Sequence, residues 1–203
     1  MRGWSGPHPG GIFKGLNIKR HDAAVRLIHK ATSKGDLGSR SMIMDAGKEE
    51  DLPRGVISKR LPAWLRPSTI PLLEWNKMRP DLAILPDTES PTSRADKVIW
   101  ILELGYCSDT NHATKFATKH AQHARLVEGL EHAGYLVHYA IITIGTTGTI
   151  PTAFLTTMSK LGLDRLRALK LADKVHAHSV ASFQTILQCR RFMEVQPGLV
   201  PGD

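Results

Sequence analysis

The sequence predicts an α/β domain, a mixed sheet flanked by helices with further helices toward the C-terminal end. Three observations carry this. Residues 97–105 form a β-branched, almost uninterrupted apolar run, the strongest strand signal in the chain. Residues 111–133 have helical spacing and stop at Gly134. Residues 135–144 then return to strand composition, so a strand, a helix and a strand follow one another as in a crossover between parallel strands.

The remaining elements fall around that unit. Residues 1–20 are Gly- and Pro-rich and read as an irregular arm. The first helix is expected to begin near His21, with Asp22 as N-cap, Ala24, Val25, Ile28 and Ala31 on its apolar face, and Gly35 beyond its end. Residues 41–44 make a short apolar strand that closes in Asp45-Ala46-Gly47. Residues 48–79 are polar and interrupted by Pro53, Pro62, Pro67 and Pro71, which reads as a long loop with one short helix, functional or mobile. A short strand spans 81–85, and 86–96 is rich in turn residues. The strand 135–144 is apolar on both faces and is expected inside the sheet. Residues 151–194 are helical in pattern. The organisation is therefore an arm (1–20), a core (21–150), C-terminal helices packed on the same domain (151–194) and a tail (195–203).

Composition narrows the function. The chain has 203 residues, 41% of them hydrophobic and 23% charged, so it carries enough apolar material for a core and is not of disordered type. Its net charge of +8 favours a polyanionic partner. Two cysteines, Cys107 and Cys189, build neither a disulfide framework nor a cysteine-rich zinc site. No apolar run reaches the roughly 18 residues of a membrane helix, and the N-terminus lacks the apolar stretch of a secretory signal. An intracellular protein without a membrane partner is the expectation.

Two acids sit where acids are costly. Glu103 follows the apolar residues 98–102, and Asp81 opens the preceding strand. If the two strands form an antiparallel hairpin centred near residue 92, Asp81 faces Glu103, with Cβ atoms ~5 Å apart. Carboxylates that close repel unless neutralised, and a divalent cation neutralises them. The alternative is a strand-end acid beside an acid paired with a nearby Lys or Arg. Asp87, in a second Pro-Asp dipeptide, falls near the hairpin loop and reads as a turn residue.

Arg79-Pro80-Asp81, with Glu103 ending an apolar strand, resembles the PD-(D/E)xK restriction-endonuclease-like superfamily, whose α-β-β-β-α-β core matches the order above. Within it, the endonuclease domain of non-LTR retrotransposons is the nearer resemblance. It rests on Arg20-His21-Asp22, on the run from Glu103 to Thr110, on Lys119-His120-Ala121-Gln122-His123 and on Ile144-Gly145-Thr146-Thr147-Gly148. The resemblance implies Mg²⁺-dependent hydrolysis of a DNA phosphodiester, with Mn²⁺ able to substitute. It makes Asp81, Glu103 and the Leu104 carbonyl the metal ligands, and Asp45 stands where some relatives carry another acid. It also implies DNA as substrate, a reverse transcriptase of the same element as partner, and a nuclear site of action on genomic DNA. Arg79, Arg190 and Arg191 are candidate DNA contacts.

One departure matters. The superfamily pattern places a lysine two residues after the strand acid, and here that position is Gly105. Lys115 and Lys119 on the following helix are the candidates to replace it, with Gln122 on the same face. Lys115 is nearer the strand end, whereas the resemblance favours Lys119. A catalytically decayed domain that only binds nucleic acid is the alternative. His120 and His123 are the only pair at i, i+3 spacing on this helix; with no cysteine pair beside them, zinc is not expected. His123 is read either as a packed residue or as one that positions water or phosphate. Cys107 has no assigned base and reads as packing. The Lys and Arg residues of 160–191 read as a solvated helical face, a few of them as backbone contacts to DNA.

Overall fold

The computed structural model describes residues 9–87, 93, 96–108 and 110–195. It is a mixed α/β structure around one five-stranded sheet in the order β2-β1-β3-β4-β5. The strands are β1 (Met42–Met44), β2 (Val56–Ser58), β3 (Leu82–Ile84), β4 (Val98–Cys107) and β5 (Leu136–Gly145). The helices are α1 (Pro9–Thr32), α2 (Leu72–Trp75), α3 (His112–His132), α4 (Ala153–Lys160) and α5 (Arg165–Val195). Among the described residues, no helix is long and apolar enough to cross a membrane.

β3 and β4 pair antiparallel, Leu82 with Leu102 and Ile84 with Trp100, which is the register of a hairpin centred on residue 92. β4 and β5 pair parallel from Val98–Leu136 to Cys107–Gly145, with α3 making the crossover. Side chains alternate across these strands, so the sheet has two buried faces. On one face Leu82, Ile84, Leu102 and Leu104 pack against Ala24, Val25 and Ile28 of α1, Phe154 and Met158 of α4, and Leu171 and Val175 of α5. On the other, Ala83, Leu85, Ile99 and Ile101 pack against Leu126 and Leu130 of α3 and against Leu65, Ile70 and Trp75.

Four expectations are corrected. The first helix begins at Pro9, not near His21, because its early turns pack on α5; the Arg190 guanidinium lies 5.3 Å from the Phe13 ring centroid. Asp22 is accordingly mid-helix rather than an N-cap, and its carboxylate accepts a hydrogen bond from the Gly47 N–H at 2.8 Å. Residues 1–8 of the expected arm and 196–203 of the tail lie outside the described residues. The stretch 48–79 is no open loop: it contains β2, two 3-10 turns and α2. Leu65, Ile70 and Trp75, each 1% exposed, anchor it. Burying such side chains contributes roughly 2 kcal/mol each, less the cost of the Trp75 Nε1, which is buried without a hydrogen-bond partner. Gly129 of α3 records how close this segment comes: a Cβ there would lie 2.7 Å from Ile70 Cδ1. Finally, β5 is the edge of the sheet, not its interior. Its apolar residues pack on both faces of the sheet, Ile142 and Ile144 on one and Val137 and Tyr139 on the other, and among the described residues no strand pairs with its outer edge.

α1 also buries a titratable group. His29 is 3% exposed and its Nε2 has no hydrogen-bond partner, so burial holds its pKa below 6.5. The unfolded chain therefore takes up a proton that the folded chain refuses, and stability falls as pH drops below ~6.5, by at most about 1.4 kcal/mol per pH unit. His29→Met is expected to flatten urea-midpoint stability between pH 7 and pH 5.5. An unchanged pH dependence would show that His29 titrates freely in the folded state.

Candidate active site

The β3–β4 register sets Asp81 opposite Glu103, on the face covered by α3. Glu103 is fully buried and Asp81 is 8% exposed. Each carboxylate accepts a main-chain hydrogen bond from the opposite strand. Leu104 N–H donates to Asp81 Oδ2 at 2.7 Å, and Asp81 N–H donates to Glu103 Oε1 at 3.2 Å. The exchange locks the two side chains together where β3 begins; Glu103 lies within β4, which runs on to Cys107 instead of ending at Gly105.

Three cationic or titratable side chains close around the pair. Lys119 Nζ bridges it, 2.7 Å from Glu103 Oε2 and 3.2 Å from Asp81 Oδ2. One helical turn on, His123 Nε2 lies 3.1 Å from Glu103 Oε1, but off the hydrogen-bonding line, so this buried nitrogen has no hydrogen-bond partner. His21 of α1 places Nε2 3.2 Å from Asp81 Oδ2 and Nδ1 3.3 Å from Asp22 Oδ1. Tyr139 of β5 donates its hydroxyl to the Lys119 carbonyl at 3.1 Å and so holds this turn of α3 to the sheet.

The charges tune one another. Burial alone would raise the Asp81 pKa, but the adjacent His21 and the Lys119 ammonium outweigh it, with help from Leu104 N–H, and hold it at about 2. Burial pulls His21 and Lys119 down, yet the facing carboxylates raise both. Tyr139 is pushed well up, by burial first and then by the negative charge of Glu103 and Asp81. At neutral pH Lys119 is therefore a fixed cation and not a base.

Gly105, two residues after Glu103, lies under a side chain of α3. A Cβ at this position would lie 2.9 Å from Lys115 Cε and 3.3 Å from its Cγ. The stem of Lys115 thus covers Gly105. Lys115, Lys119 and His123 recur every four residues and form the stripe that α3 turns toward the end of β4.

The expected residues divide accordingly. Asp81, Glu103, Lys119, His123 and the Leu104 main chain come together, with Lys115 beside them. Gln122 does not join them: it is exposed and bonds to neither carboxylate, being one position off the stripe. Asp45 is a near neighbour; its N–H donates to the Asp81 carbonyl at 3.2 Å, and its carboxylate pairs with Lys59 at 3.1 Å. Arg79 is exposed, two residues before Asp81. Arg190 and Arg191 are exposed on α5, which packs on the opposite face of the sheet from the carboxylates. Asp87 pairs with Arg40 at 3.0 Å in a bend. The structure adds His21, Lys59 and Tyr139 to the residues at or beside the site. Only His21 had a signal, a His-Asp dipeptide next to Arg20, which is itself 3% exposed.

Among the described residues, no group of three or more His, Cys, Asp or Glu side chains is arranged to hold a metal. His120 stacks on Phe116 at 6.3 Å between centroids, turned away from the role that His123 takes. Two carboxylates and a main-chain carbonyl are nonetheless a hard oxygen set, and Mg²⁺ needs only one or two carboxylates because it keeps several waters. Asp81 Oδ1 has no hydrogen bond or ion pair among the described residues, so one oxygen of the set is uncommitted.

No family model matches the chain, and no curated protein does. Among solved structures the chain is similar to an N-terminal domain of a reptarenavirus L protein, with 18% identity and a TM-score of 0.26 over 51% of this chain and 54% of that one. The chain thus spans about half the length of that structure.

Lys119 is the main neutralising charge for two carboxylates on a buried face. Lys119→Met is expected to destabilise the protein by about 3 kcal/mol, and adding Glu103→Gln should recover part of that loss. Urea titrations of the three proteins check this. A loss under about 1 kcal/mol would mean that solvent already screens the pair.

Proposed function

We propose that the protein is a metal-dependent endonuclease that hydrolyses or nicks a DNA phosphodiester. The observation that supports this best is the pair Asp81 and Glu103, buried side by side where β3 begins against β4 and tied to each other through Leu104 N–H and Asp81 N–H. Asp81, Glu103 and the carbonyl of Leu104 would hold Mg²⁺ or Mn²⁺. Bound there, the ion supplies Lewis acidity at the scissile phosphate and lowers the pKa of a water.

The chain's own groups do the rest. Lys119 keeps its proton at neutral pH and so acts as a positive charge for the phosphoryl oxygens, where negative charge grows in the transition state. His21 orients the Asp81 carboxylate through the contact at Oδ2, which leaves Oδ1 uncommitted among the described residues. Lys115, laid over Gly105, is the second cation within reach of the same strand end. The net charge of +8 suits a polyanionic substrate. The resemblance of the motifs to retrotransposon endonucleases supports the finer reading, with a reverse transcriptase of the same element as partner and genomic DNA in the nucleus as target.

A second reading is favoured by one observation. Lys119 already bridges both carboxylates and offsets part of their charge, which suits a domain that has lost its metal and binds nucleic acid only. Plasmid nicking separates the two. Supercoiled DNA with Mg²⁺ or Mn²⁺ should be nicked, and Asp81→Ala and Glu103→Ala should each lose at least ~100-fold in rate while DNA affinity is kept. No nicking with any metal or substrate would leave the binding-only domain.

The lysines are tested by single-turnover nicking at saturating DNA. Lys119→Met is expected to cost at least ~100-fold in rate with little change in affinity, and Lys115→Met much less. The reverse pattern would move the catalytic cation to Lys115.

A further inference from the structure

On the face of the sheet opposite the carboxylates, α1 and α5 enclose a groove of about 290 Å³. Its floor is apolar: Leu27 and Ala31, one turn apart on α1, and Leu171 on α5. Its two rims are basic. Lys30 and Lys34 stand on the α1 side, and Arg167, Lys170 and Lys174 on the α5 side, all exposed. The carboxylate in direct contact with these five cations is Asp164, 3.2 Å from Arg167 Nε. Arg167 also donates to the Lys34 carbonyl at 3.3 Å, which ties the two rims together at the end of α1.

We propose that this groove is a docking site for an acidic amphipathic helix of a partner protein. Charge complementarity names the occupant. Like charges lined up on both sides of a narrow strip repel one another, and an anionic ligand relieves that repulsion. The apolar floor then selects among anions. A DNA duplex offers phosphates alone and would leave Leu27 and Ala31 facing polar surface. A single strand needs aromatic rings for its bases, and none lines the groove. An amphipathic helix meets both demands. Its large apolar side chains, three or four residues apart, fit a floor whose own residues are one turn apart, and acids flanking them reach Lys30 and Lys34 on one side and Lys170 and Lys174 on the other. The contact is short, so the complex is weak and salt-sensitive. It is independent of the nuclease reading, since no residue of the carboxylate site takes part.

The probe is a fluorescein-labelled helical peptide of about 16 residues with leucines on one stripe and glutamates on both flanks. Fluorescence anisotropy should give a micromolar dissociation constant for the full chain. Lys30→Glu combined with Lys174→Glu should weaken binding at least ~10-fold, and a peptide carrying lysine in place of the facing glutamates should restore it to the doubly substituted protein. Circular dichroism establishes that this protein is folded. Three results would overturn the proposal: equal binding of a peptide whose leucines are glutamine, no loss on charge reversal, or a short DNA duplex that binds more tightly than the peptide through the same lysines.

Discussion

Strand pairing forces Asp81 and Glu103 onto one face of the sheet, and much of the surrounding structure answers that constraint. Two carboxylates roughly 5 Å apart repel by on the order of 3 kcal/mol even at an effective dielectric constant of about 20. The repulsion is met from several directions at once. Main-chain N–H groups of Leu104 and Asp81 satisfy one oxygen of each acid, Lys119 bridges them from α3, and His21 arrives from a helix whose apolar residues pack on the other face. Each donor belongs to a different element, so the site also works as a joint between the layers. Tyr139 extends the joint to the last strand by gripping the main chain at Lys119.

The sequence makes this centre readable because strands are governed by a two-residue period and a hairpin by its midpoint. Apolar runs at 81–85 and 97–105, with a turn-rich stretch between them, suffice to bring Asp81 opposite Glu103, and the observed pairs follow. Parallel pairing of β4 and β5 is legible for a similar reason, since a 21-residue helix joins them. What escapes is whatever depends on partners distant in the chain. The early turns of α1 hold three glycines and a proline, poor helix formers, and they are helical because α5 lies against the helix. The prolines of 48–79 signal loop, yet β2 forms by pairing beside β1, and Trp75 is drawn into the core by contacts that local pattern does not show. A run apolar on both faces marks strand 135–144 as sandwiched between layers but says nothing of neighbours in the sheet, so its place at the edge is not legible in the sequence.

The same distinction separates Gln122 from His123. Helical spacing places both within a turn of Lys119. Only the angle at which α3 crosses β4 decides which one faces Glu103, and that angle is set by packing of Leu126, Leu130 and Gly129 against the sheet and residues 67–70. The two faces of the sheet also differ in purpose. One carries the acids in a buried cluster with the side chains that contact them, while the other ends in a groove whose cations outnumber their acids.

Gly105 and Lys115 occupy one space between them, since the lysine stem lies where a side chain on the strand would begin. A side chain added at 105 has to displace the Lys115 stem, so substitutions at the two positions are coupled rather than independent. The strand backbone and the stem of the helix residue are fitted to each other, and neither position is free to vary by itself.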